Sequence, residues 1–558
     1  LIIYFNPAQM KKAKQLIFIV SIFSIFCGCK NSNHENLLNI SHNISISKYP
    51  LFSGRVNPGL ININISVPDT AEPVNLNAVK IYFTDESDTD FLESIDIQYV
   101  NEPGEKVSGS LFGKTSEFKS DKTTVKGLAQ FEPGSHKLSF DFTVSDDAQL
   151  EQSFRIDNIE LIFENKLSLL LDAEPLFSYR PAKILRQAGQ DSCDTYRIPG
   201  LVTTNEGSLI AVYDNRYNRS KDLQEDIDIG MSRSTDGGQT WEDMRVILDM
   251  GEWGGRPERL NGAGDPCVLF DHATGTLWVA ALWMSGLTTD DMLWWSSQPG
   301  MSPEETGQFI LTKSNDDGLS WSEPINITEQ IKDPDWQLLL QGPGRGISMD
   351  DGTLVFPAQF KADIGEKAID GGQYTSHSTI VYSVDGGETW QIGKGARPNT
   401  TEAQVVQLAN GDLMLNMRDD RNRQVKDETN GRAVATTADM GRTWTMHPSS
   451  NSALPEPNCM ASLLAANLKV DGEKIQVLFF SNPDNKYNRT NMTVKASIDG
   501  GLTWPEEYRL EINEAEGYGY SCMTMVEEDK IGILYEGVKE LYFQVIPVKD
   551  ILDKITSQ

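Results

Sequence analysis

Hydrophobic and polar residues alternate with a period of two along much of the N-terminal third of this chain. In LININISV (60–67) and in KLSFDFTV (137–144), the apolar side chains alternate with polar ones. Such alternation is typical of β-strands that have one buried face. Similar segments recur to about Phe177, separated by turns such as EPG at 132–134. The pattern predicts an all-β fold that begins with a β-sandwich over residues 49–178.

From about Ser178 onward, one eight-residue turn pattern occurs five times. The copies are STDGGQTW at 234–241, SNDDGLSW at 314–321, SVDGGETW at 383–390, TADMGRTW at 437–444 and SIDGGLTW at 497–504. Repeats at this spacing are typical of β-propellers, whose blades are four short antiparallel strands. Residues 179–558 have room for six blades, one of which would close the ring from both ends without such a turn. We therefore predict a six-bladed β-propeller after the sandwich.

Each copy predicts a hairpin turn, in which Asp and Gly supply the turn chemistry and Trp packs into the blade. Catalysis by the aspartates of these turns is the alternative. Five equivalent turns on five blades cannot converge on one substrate, so we expect these aspartates to be structural: Asp236, Asp316, Asp385, Asp439 and Asp499.

The N-terminal segment has the pattern of an export signal. A basic stretch follows Met10, and an apolar stretch of eleven residues, 16–26, leads into CGCK. This apolar stretch is too short to span a bilayer and fits a secretory signal. Residues 1–29 are interpreted as upstream residues plus a signal peptide and lipobox, with Cys29 as the lipidated residue. A cleaved signal without lipid is the alternative, and residues 30–48 are expected to form a polar linker.

Composition narrows the classes of function. A formal net charge of −31 argues against a nucleic-acid partner, because phosphates select for clustered Lys and Arg. The histidines and cysteines show no metal-binding spacing, so we expect neither a metal nor a cofactor. Four cysteines of the exported part, expected as buried free thiols with disulfides as the alternative, are Cys193, Cys267, Cys459 and Cys522. The protein is expected in the periplasm or at the outer membrane or cell surface, with membrane contact only through the lipid.

The motif YRIP at 196–199, together with the five turns, resembles the bacterial exo-sialidases with Asp-box repeats. The resemblance covers roughly residues 180–540. It implies that three arginines, Arg197, Arg418 in LMLNMRDD and Arg489 in KYNRT, grip the carboxylate of sialic acid. Guanidinium groups suit this task because they bind carboxylates bidentately and stay charged. On separate blades, the three arginines would meet only at the propeller axis.

The same resemblance assigns an acid/base and two sugar contacts. Asp222 matches the residue that protonates the glycosidic oxygen and then activates water. Arg216 and Asp265 match positions that contact the sugar. Three acidic neighbours of Asp222 remain rivals for its role: Glu225, Asp226 and Asp228.

The resemblance also implies a tyrosine nucleophile, Tyr520, with Glu402 as its base. The anomeric carbon of sialic acid bears a carboxylate, which would repel an attacking carboxylate but not a neutral phenol. A base is needed because free tyrosine has a pKa of about 10. Tyr518 is the alternative nucleophile, and Glu536 matches the acid that orients the first arginine.

These residues together predict an exo-α-sialidase that releases terminal α-linked sialic acids from glycoproteins, glycolipids and oligosaccharides with retention of configuration. Its partners are expected to be sialylated glycans. A trans-sialidase and a non-catalytic glycan-binding propeller are the alternatives. Three tryptophans in the longest interval between the turns are expected to line the sugar pocket or to pack in the core: Trp283, Trp294 and Trp295.

Overall fold

The protein is described by a computed structural model over residues 40–100, 109–164, 167–470 and 473–552. The predicted signal peptide, Cys29 and the first part of the predicted linker lie outside these ranges. Within them, no helix is both long and apolar enough to cross a membrane. The fold is all-β, as the alternation predicts.

The described N-terminal part of the chain has ten strands, nine of which form two sheets. They are β1 (Ser41–Ile46), β2 (Leu51–Phe52), β3 (Val56–Val67), β4 (Val74–Phe83), β5 (Leu92–Val100), β6 (Ser110–Thr115), β7 (Lys122–Phe131), β8 (Gly134–Val144), β9 (Ile156–Phe163) and β10 (Ser168–Asp172). One sheet has the order β1-β3-β8-β5-β6, and the other has the order β10-β9-β4-β7. Alternate residues of both sheets, such as Ile63 of β3 and Val79 of β4, are buried in one core, which is the packing that a β-sandwich requires.

Two short strands, β1 and β2, depart from the predicted domain organisation. Residues 41–46, expected within a linker, form β1, which pairs antiparallel with β3 from Ser41↔Ser66 to Ile46↔Ile61. Ile44 and Ile46 pack against the core, so this part of the linker prediction is wrong. The two isoleucines lie in a run of Ser and Asn, a composition that is typical of a flexible linker. β2 joins a later sheet instead of the two N-terminal ones.

The remaining strands and two one-turn helices follow. They are β11 (Pro181–Arg186), β12 (Thr195–Thr203), β13 (Leu209–Arg216), β14 (Ile227–Ser234), β15 (Arg245–Leu248), β16 (Ala263–Asp271), β17 (Thr276–Trp283), α1 (Leu293–Ser296), β18 (Gln308–Ser314), β19 (Ile325–Asn326), α2 (Thr328–Ile331), β20 (Leu338–Gln341), β21 (Gly344–Arg345), β22 (Ile347–Ser348), β23 (Leu354–Asp363), β24 (Tyr374–Ser383), β25 (Gln391–Ile392), β26 (Arg397–Pro398), β27 (Thr400–Gln407), β28 (Leu413–Asp419), β29 (Ala433–Thr437), β30 (Thr445–Met446), β31 (Ser462–Val470), β32 (Glu473–Pro483), β33 (Met492–Ser497), β34 (Arg509–Asn513), β35 (Ser521–Glu527), β36 (Lys530–Glu536) and β37 (Leu541–Pro547).

These strands form six sheets of four to six strands each. Three sheets are simple meanders, β12–β15, β27–β30 and β31–β34. A fourth sheet contains β16–β19, with β21 added beside β16. A fifth sheet contains β20 and β22–β26. The sixth sheet has the order β2-β11-β37-β36-β35, so it combines strands from both ends of this region.

Each of the five repeated turns connects two paired strands, and these pairs are β14–β15, β18–β19, β24–β25, β29–β30 and β33–β34. In the third copy, Asp385 accepts hydrogen bonds from Ser383 Oγ at 2.7 Å, Thr389 N at 2.9 Å and Thr389 Oγ1 at 2.6 Å. Gly387 has φ +90°, and a Cβ there would lie 2.4 Å from the Trp278 ring. The turn therefore needs both its Asp and its Gly for structural reasons.

Candidate active site

A pocket of about 530 Å³ lies at one end of the sheets. In the sheet β12–β15, this is the end where β12 begins and β13 ends. Cα pairing brings these ends together within each sheet, for example Arg197 with Asp214 and Thr401 with Arg418. Eight residues singled out from the sequence line this pocket: Arg197, Arg216, Asp222, Asp265, Glu402, Arg418, Arg489 and Tyr520.

Three of the first strands carry a bulge at the pocket. The register of β12 shifts after Arg197, that of β16 after Gly264 and that of β27 after Thr401. Within these shifts, Ile198, Asp265 and Glu402 have φ of 58°, 59° and 23°. Positive φ is uncommon for residues other than Gly, and bulges re-aim side chains near active sites. The local strain is thus concentrated where Asp265 and Glu402 enter the pocket.

Tyr520 and Glu402 are in direct contact. The phenol of Tyr520 donates a short hydrogen bond to Glu402 Oε1, and Arg418 Nη1 contacts Glu402 Oε2 at 2.5 Å and Tyr520 Oη at 3.2 Å. Burial and the Glu402 carboxylate raise the pKa of Tyr520 well above its usual value. Burial opposes ionisation of Glu402, but Arg418 and the phenol outweigh it and lower the pKa of Glu402. The pocket therefore holds a neutral phenol against a charged base.

The three predicted arginines converge on Tyr520. The guanidinium carbons of Arg197 and Arg489 lie 4.9 and 5.6 Å from the centre of its ring. Arg418 contacts its hydroxyl, as described above. Arg489 is held by Tyr518, whose carbonyl accepts a hydrogen bond from Arg489 Nη1 at 2.7 Å. Three positive charges around one pocket floor favour a substrate that carries a carboxylate.

Glu536 lies behind Arg197. Its Oε1 and Oε2 accept hydrogen bonds from Arg197 Nε at 3.0 Å and Nη2 at 3.3 Å. The same two oxygens accept the backbone N–H groups of Ile198 and Tyr520, both at 2.9 Å. This carboxylate thus fixes the first arginine and the backbone of the tyrosine together.

Asp222 lines the pocket in a cluster of charges. Its Oδ1 lies 2.6 Å from Arg216 Nη1 and 3.8 Å from Arg197 Nη1. Burial opposes its ionisation, but these arginines outweigh it and lower the pKa of Asp222. Arg216 is itself held by Asp214 at 2.8 Å. Half of the Asp222 side chain is exposed, so a ligand in the pocket can reach it.

The pKa of Asp265 is shifted in the opposite direction from that of Asp222. Burial, with Asp214 and Asp222 nearby, raises the pKa of Asp265 well above its usual value. Its backbone N–H donates to Asp214 Oδ1 at 2.9 Å, which fixes the bulge. A carboxyl group that stays protonated can donate a hydrogen bond to a sugar hydroxyl.

The rival residues do not line the pocket. Glu225 is paired with Arg219 at 2.6 Å, and Asp228 accepts a hydrogen bond from the Tyr217 hydroxyl at 2.9 Å. Tyr518 packs its ring against Arg197, 4.8 Å from the guanidinium carbon. The geometry therefore favours Asp222 over its acidic neighbours and Tyr520 over Tyr518.

One side of the pocket is apolar. Trp294 and Trp295 belong to this wall, whereas Trp283 is buried in the core beside Trp253. Five leucines, which the sequence analysis did not single out, complete the wall: Leu223, Leu282, Leu293, Leu338 and Leu340. They come from four separate segments, so no local motif marks them.

A buried ion pair behind Glu402 was also missed. Arg432 and Glu456 are both fully buried and pair at 2.8 Å. Arg432 Nη2 also donates to the Glu402 carbonyl at 3.2 Å, and the side chain of Asn458 accepts from Arg418 Nη2 at 2.9 Å. Arg432 thus holds the backbone of Glu402 in place, and Asn458 holds the side chain of Arg418. A buried Arg is rare and would have indicated a special role for Arg432, but the sequence does not show that Arg432 is buried.

The described residues contain no cluster of three or more His, Cys, Asp or Glu side chains that could hold a metal ion. The four cysteines named above are all buried free thiols. The groups that line the pocket include a phenol, carboxyl groups and guanidinium groups.

Comparison with known proteins identifies the family. Residues 207–534 match the BNR repeat-like domain family. A sialidase of Bacteroides fragilis (strain YCH46) is 44% identical over 507 residues, which cover 88% of this chain and 90% of that protein. A sialidase of Micromonospora viridifaciens is 28% identical over 367 residues, 65% of this chain and 52% of that protein. The solved structure of the Hadza microbial sialidase Hz136 superposes with a TM-score of 0.78 at 41% identity, covering 91% of this chain and 99% of that one. The chain therefore belongs to the sialidase family.

Proposed function

We propose that the protein is an exo-α-sialidase that hydrolyses terminal α-linked sialic acids with retention of configuration, using Tyr520 as nucleophile. The observation that carries the proposal is the contact of Tyr520 with Glu402 on a pocket floor ringed by Arg197, Arg418 and Arg489. Both the base and the carboxylate-binding charges surround one hydroxyl. A sialic acid bound by its carboxylate would place its anomeric carbon beside that hydroxyl.

In the first step, Tyr520 Oη bonds to the anomeric carbon while the glycosidic C–O bond breaks. The phenolic proton passes to Glu402, and the leaving oxygen takes the electron pair of the broken bond and a proton from Asp222. Arg418, which lies 3.2 Å from Tyr520 Oη, stabilises the negative charge that develops on this oxygen. A phenol suits this step because no net charge approaches the substrate carboxylate.

Asp222 must be protonated in that step, although the neighbouring arginines lower its pKa. The substrate supplies the change. Its carboxylate neutralises part of the charge of Arg197, and this raises the affinity of Asp222 for a proton. In the second step, Asp222 takes a proton from water, the water oxygen bonds to the anomeric carbon as the bond from that carbon to Tyr520 Oη breaks, and Glu402 returns its proton to Oη. Two displacements leave the configuration unchanged.

We also propose that the six sheets close into a six-bladed propeller over residues 179–558, behind a sandwich over residues 49–178 that binds glycans or acts as a spacer. Contacts between strands of neighbouring sheets support closure: β12 contacts β16, β16 contacts β23, β23 contacts β27, β27 contacts β31, β31 contacts β35, and β35 contacts β12. The pocket then lies at one end of the propeller axis.

Two measurements test the proposed chemistry. NMR of the first product from 3′- and 6′-sialyllactose should show the α anomer of sialic acid, and mass spectrometry after reaction with a fluorinated sialic acid should place the label on Tyr520. Initial β anomer, or a label on another residue, contradicts the mechanism. A parallel reaction with added lactose reports any transfer, which would reveal trans-sialidase activity.

A further inference from the structure

A second cavity, of about 350 Å³, lies at the opposite ends of the first strands from the active-site pocket. Its lining includes Thr203 at the end of β12, Phe270 near the end of β16 and Gln407 at the end of β27. None of its lining residues lines the active-site pocket. The cavity is therefore separate from the proposed catalytic centre.

Arg345 in this cavity has an unmatched charge. Its Nη1 donates to the carbonyl of Met523 at 3.1 Å. Its Nε is buried without a hydrogen-bond partner, and no carboxylate of the described residues forms an ion pair with Arg345. The buried arginines Arg216 and Arg432 differ, because Asp214 and Glu456 pair with them at 2.8 Å.

The surroundings of Arg345 leave its charge uncompensated. Burial lowers the pKa of Arg345, and the buried thiols of Cys522 and Cys267 act in the opposite direction. Asp350 lies at the mouth of the cavity but is exposed and makes no ion pair with Arg345. Arg345 is partly buried, and a charge in such a place without a partner gains from a bound counter-ion.

We propose that this cavity binds a small oxyanion, a phosphate, sulfate or carboxylate, on the guanidinium of Arg345. The planar guanidinium matches the oxygen geometry of these anions. Further hydrogen-bonding side chains in the lining belong to Ser348, Gln407, Asn467 and Gln476. The size of the cavity leaves room for the anion and for water around it.

Anion binding at Arg345 should stabilise the fold near the catalytic residues. Arg345 lies on β21, beside Val268 of β16, and it holds the Met523 carbonyl on β35. β16 carries Asp265 and β35 follows Tyr520 directly, so the anion would fix two strands that serve the pocket. A ligand that binds only the folded state stabilises it by RT ln(1 + L/Kd), where L is the free ligand concentration, and so raises the melting temperature.

Thermal unfolding and crystallography test this site together. The melting temperature of the full chain is titrated with phosphate, sulfate and acetate, each against sodium chloride at equal ionic strength. Wild type should show a melting temperature that rises with the logarithm of anion concentration above Kd, and Arg345→Gln should lose this rise. Asn467→Asp, which adds a carboxylate to the same cavity without changing side-chain size, should weaken the apparent affinity severalfold. Differences among the three anions identify the preferred class.

The active-site arginines are intact in both variants, so anions bound there contribute equally to every titration. Crystals soaked in selenate should show anomalous density beside Arg345 in the wild type. Identical titrations for wild type and Asn467→Asp overturn the proposal even if Arg345→Gln fails to fold. Selenate density confined to the active-site arginines overturns it as well.

Discussion

Glu536 holds Arg197 with both oxygens of its carboxylate, at 3.0 and 3.3 Å. The Glu536 side chain is fully buried, and that of Arg197 is only 12% exposed. A buried pair of this kind is sensitive to the loss of either partner, because the remaining charge has no counter-ion.

Glu536→Gln should therefore affect both stability and substrate binding. The change keeps the size of the side chain but removes the charge that matches Arg197. We expect the free energy of unfolding to fall by about 3 kcal/mol and KM to rise. Chemical denaturation and steady-state kinetics measure these effects. Glu540→Gln is the control, since that carboxylate accepts a hydrogen bond from Tyr542 away from the pocket. Wild-type values of both quantities in Glu536→Gln would show that the pair has no such role.

Tyr520→Phe should abolish most turnover while preserving the fold. The substitution removes only the hydroxyl that Glu402 and Arg418 contact. We expect kcat to fall by at least about 10²-fold, with a smaller effect on substrate binding. Tyr518→Phe is a matched control, because it removes a hydroxyl from the neighbouring ring that packs on Arg197. Equal losses in the two variants would contradict the assignment of Tyr520.

Asp222→Ala should distinguish substrates by their leaving groups. Sialyllactose needs a proton on its leaving oxygen, whereas an aryl sialoside releases a stable phenolate without one. We expect a loss of about 10²- to 10⁴-fold on sialyllactose and a much smaller loss of the first step on the aryl substrate. Pre-steady-state rates of aryl release measure this step. Glu225→Gln, which changes a carboxylate paired with Arg219, should leave both rates near normal. Equal losses on the two substrates would remove Asp222 as the acid.

Asp385→Ala should destabilise the fold without slowing the folded enzyme. Hydrogen bonds from Thr389 and Ser383 lower the pKa of Asp385 from 3.8 to about 2. A lowered pKa means that the carboxylate stabilises the fold fully above about pH 4 and loses this effect as the pH falls towards 2. The difference in melting temperature from wild type should therefore be present at pH 7 and shrink below pH 4. Glu388→Ala alters an exposed neighbour in the same turn and is the control. A well-folded Asp385→Ala with turnover reduced a thousandfold would contradict a structural role.

Cys29→Ser should release the protein from membrane fractions. We propose that Cys29 carries lipid because the apolar stretch 16–26 leads directly into the sequence CGCK. Cys27→Ser, two positions earlier, should leave the protein in the membrane fraction. Immunoblots of fractionated cells measure the distribution. A wild-type protein that is already fully soluble would rule out the anchor.

Residues in local motifs could be predicted, and residues defined only by packing could not. Arg197 follows Tyr in YRIP, and Glu402 and Tyr520 also lie in short recognisable segments, so the sequence alone placed them in one pocket. The leucine wall and the Arg432–Glu456 pair come from distant segments and carry no local signal. Strand β1 was missed for another reason: its two partly buried isoleucines lie among Ser and Asn, which are typical of linkers.

The sixth sheet has a consequence for biosynthesis. It pairs β11, one of the first strands of its region, with β37, the last strand, through Lys183↔Phe543 and Ile184↔Tyr542. Chains emerge from the ribosome in order, so this sheet cannot be completed until β37 has been made. Tyr520 and Glu536 belong to the same late segment, and Arg197 gains its ion pair with Glu536 only then. A nascent chain therefore remains inactive until nearly all of it has been synthesised, so any protein exported unfolded through the predicted signal would acquire its active site only after translocation.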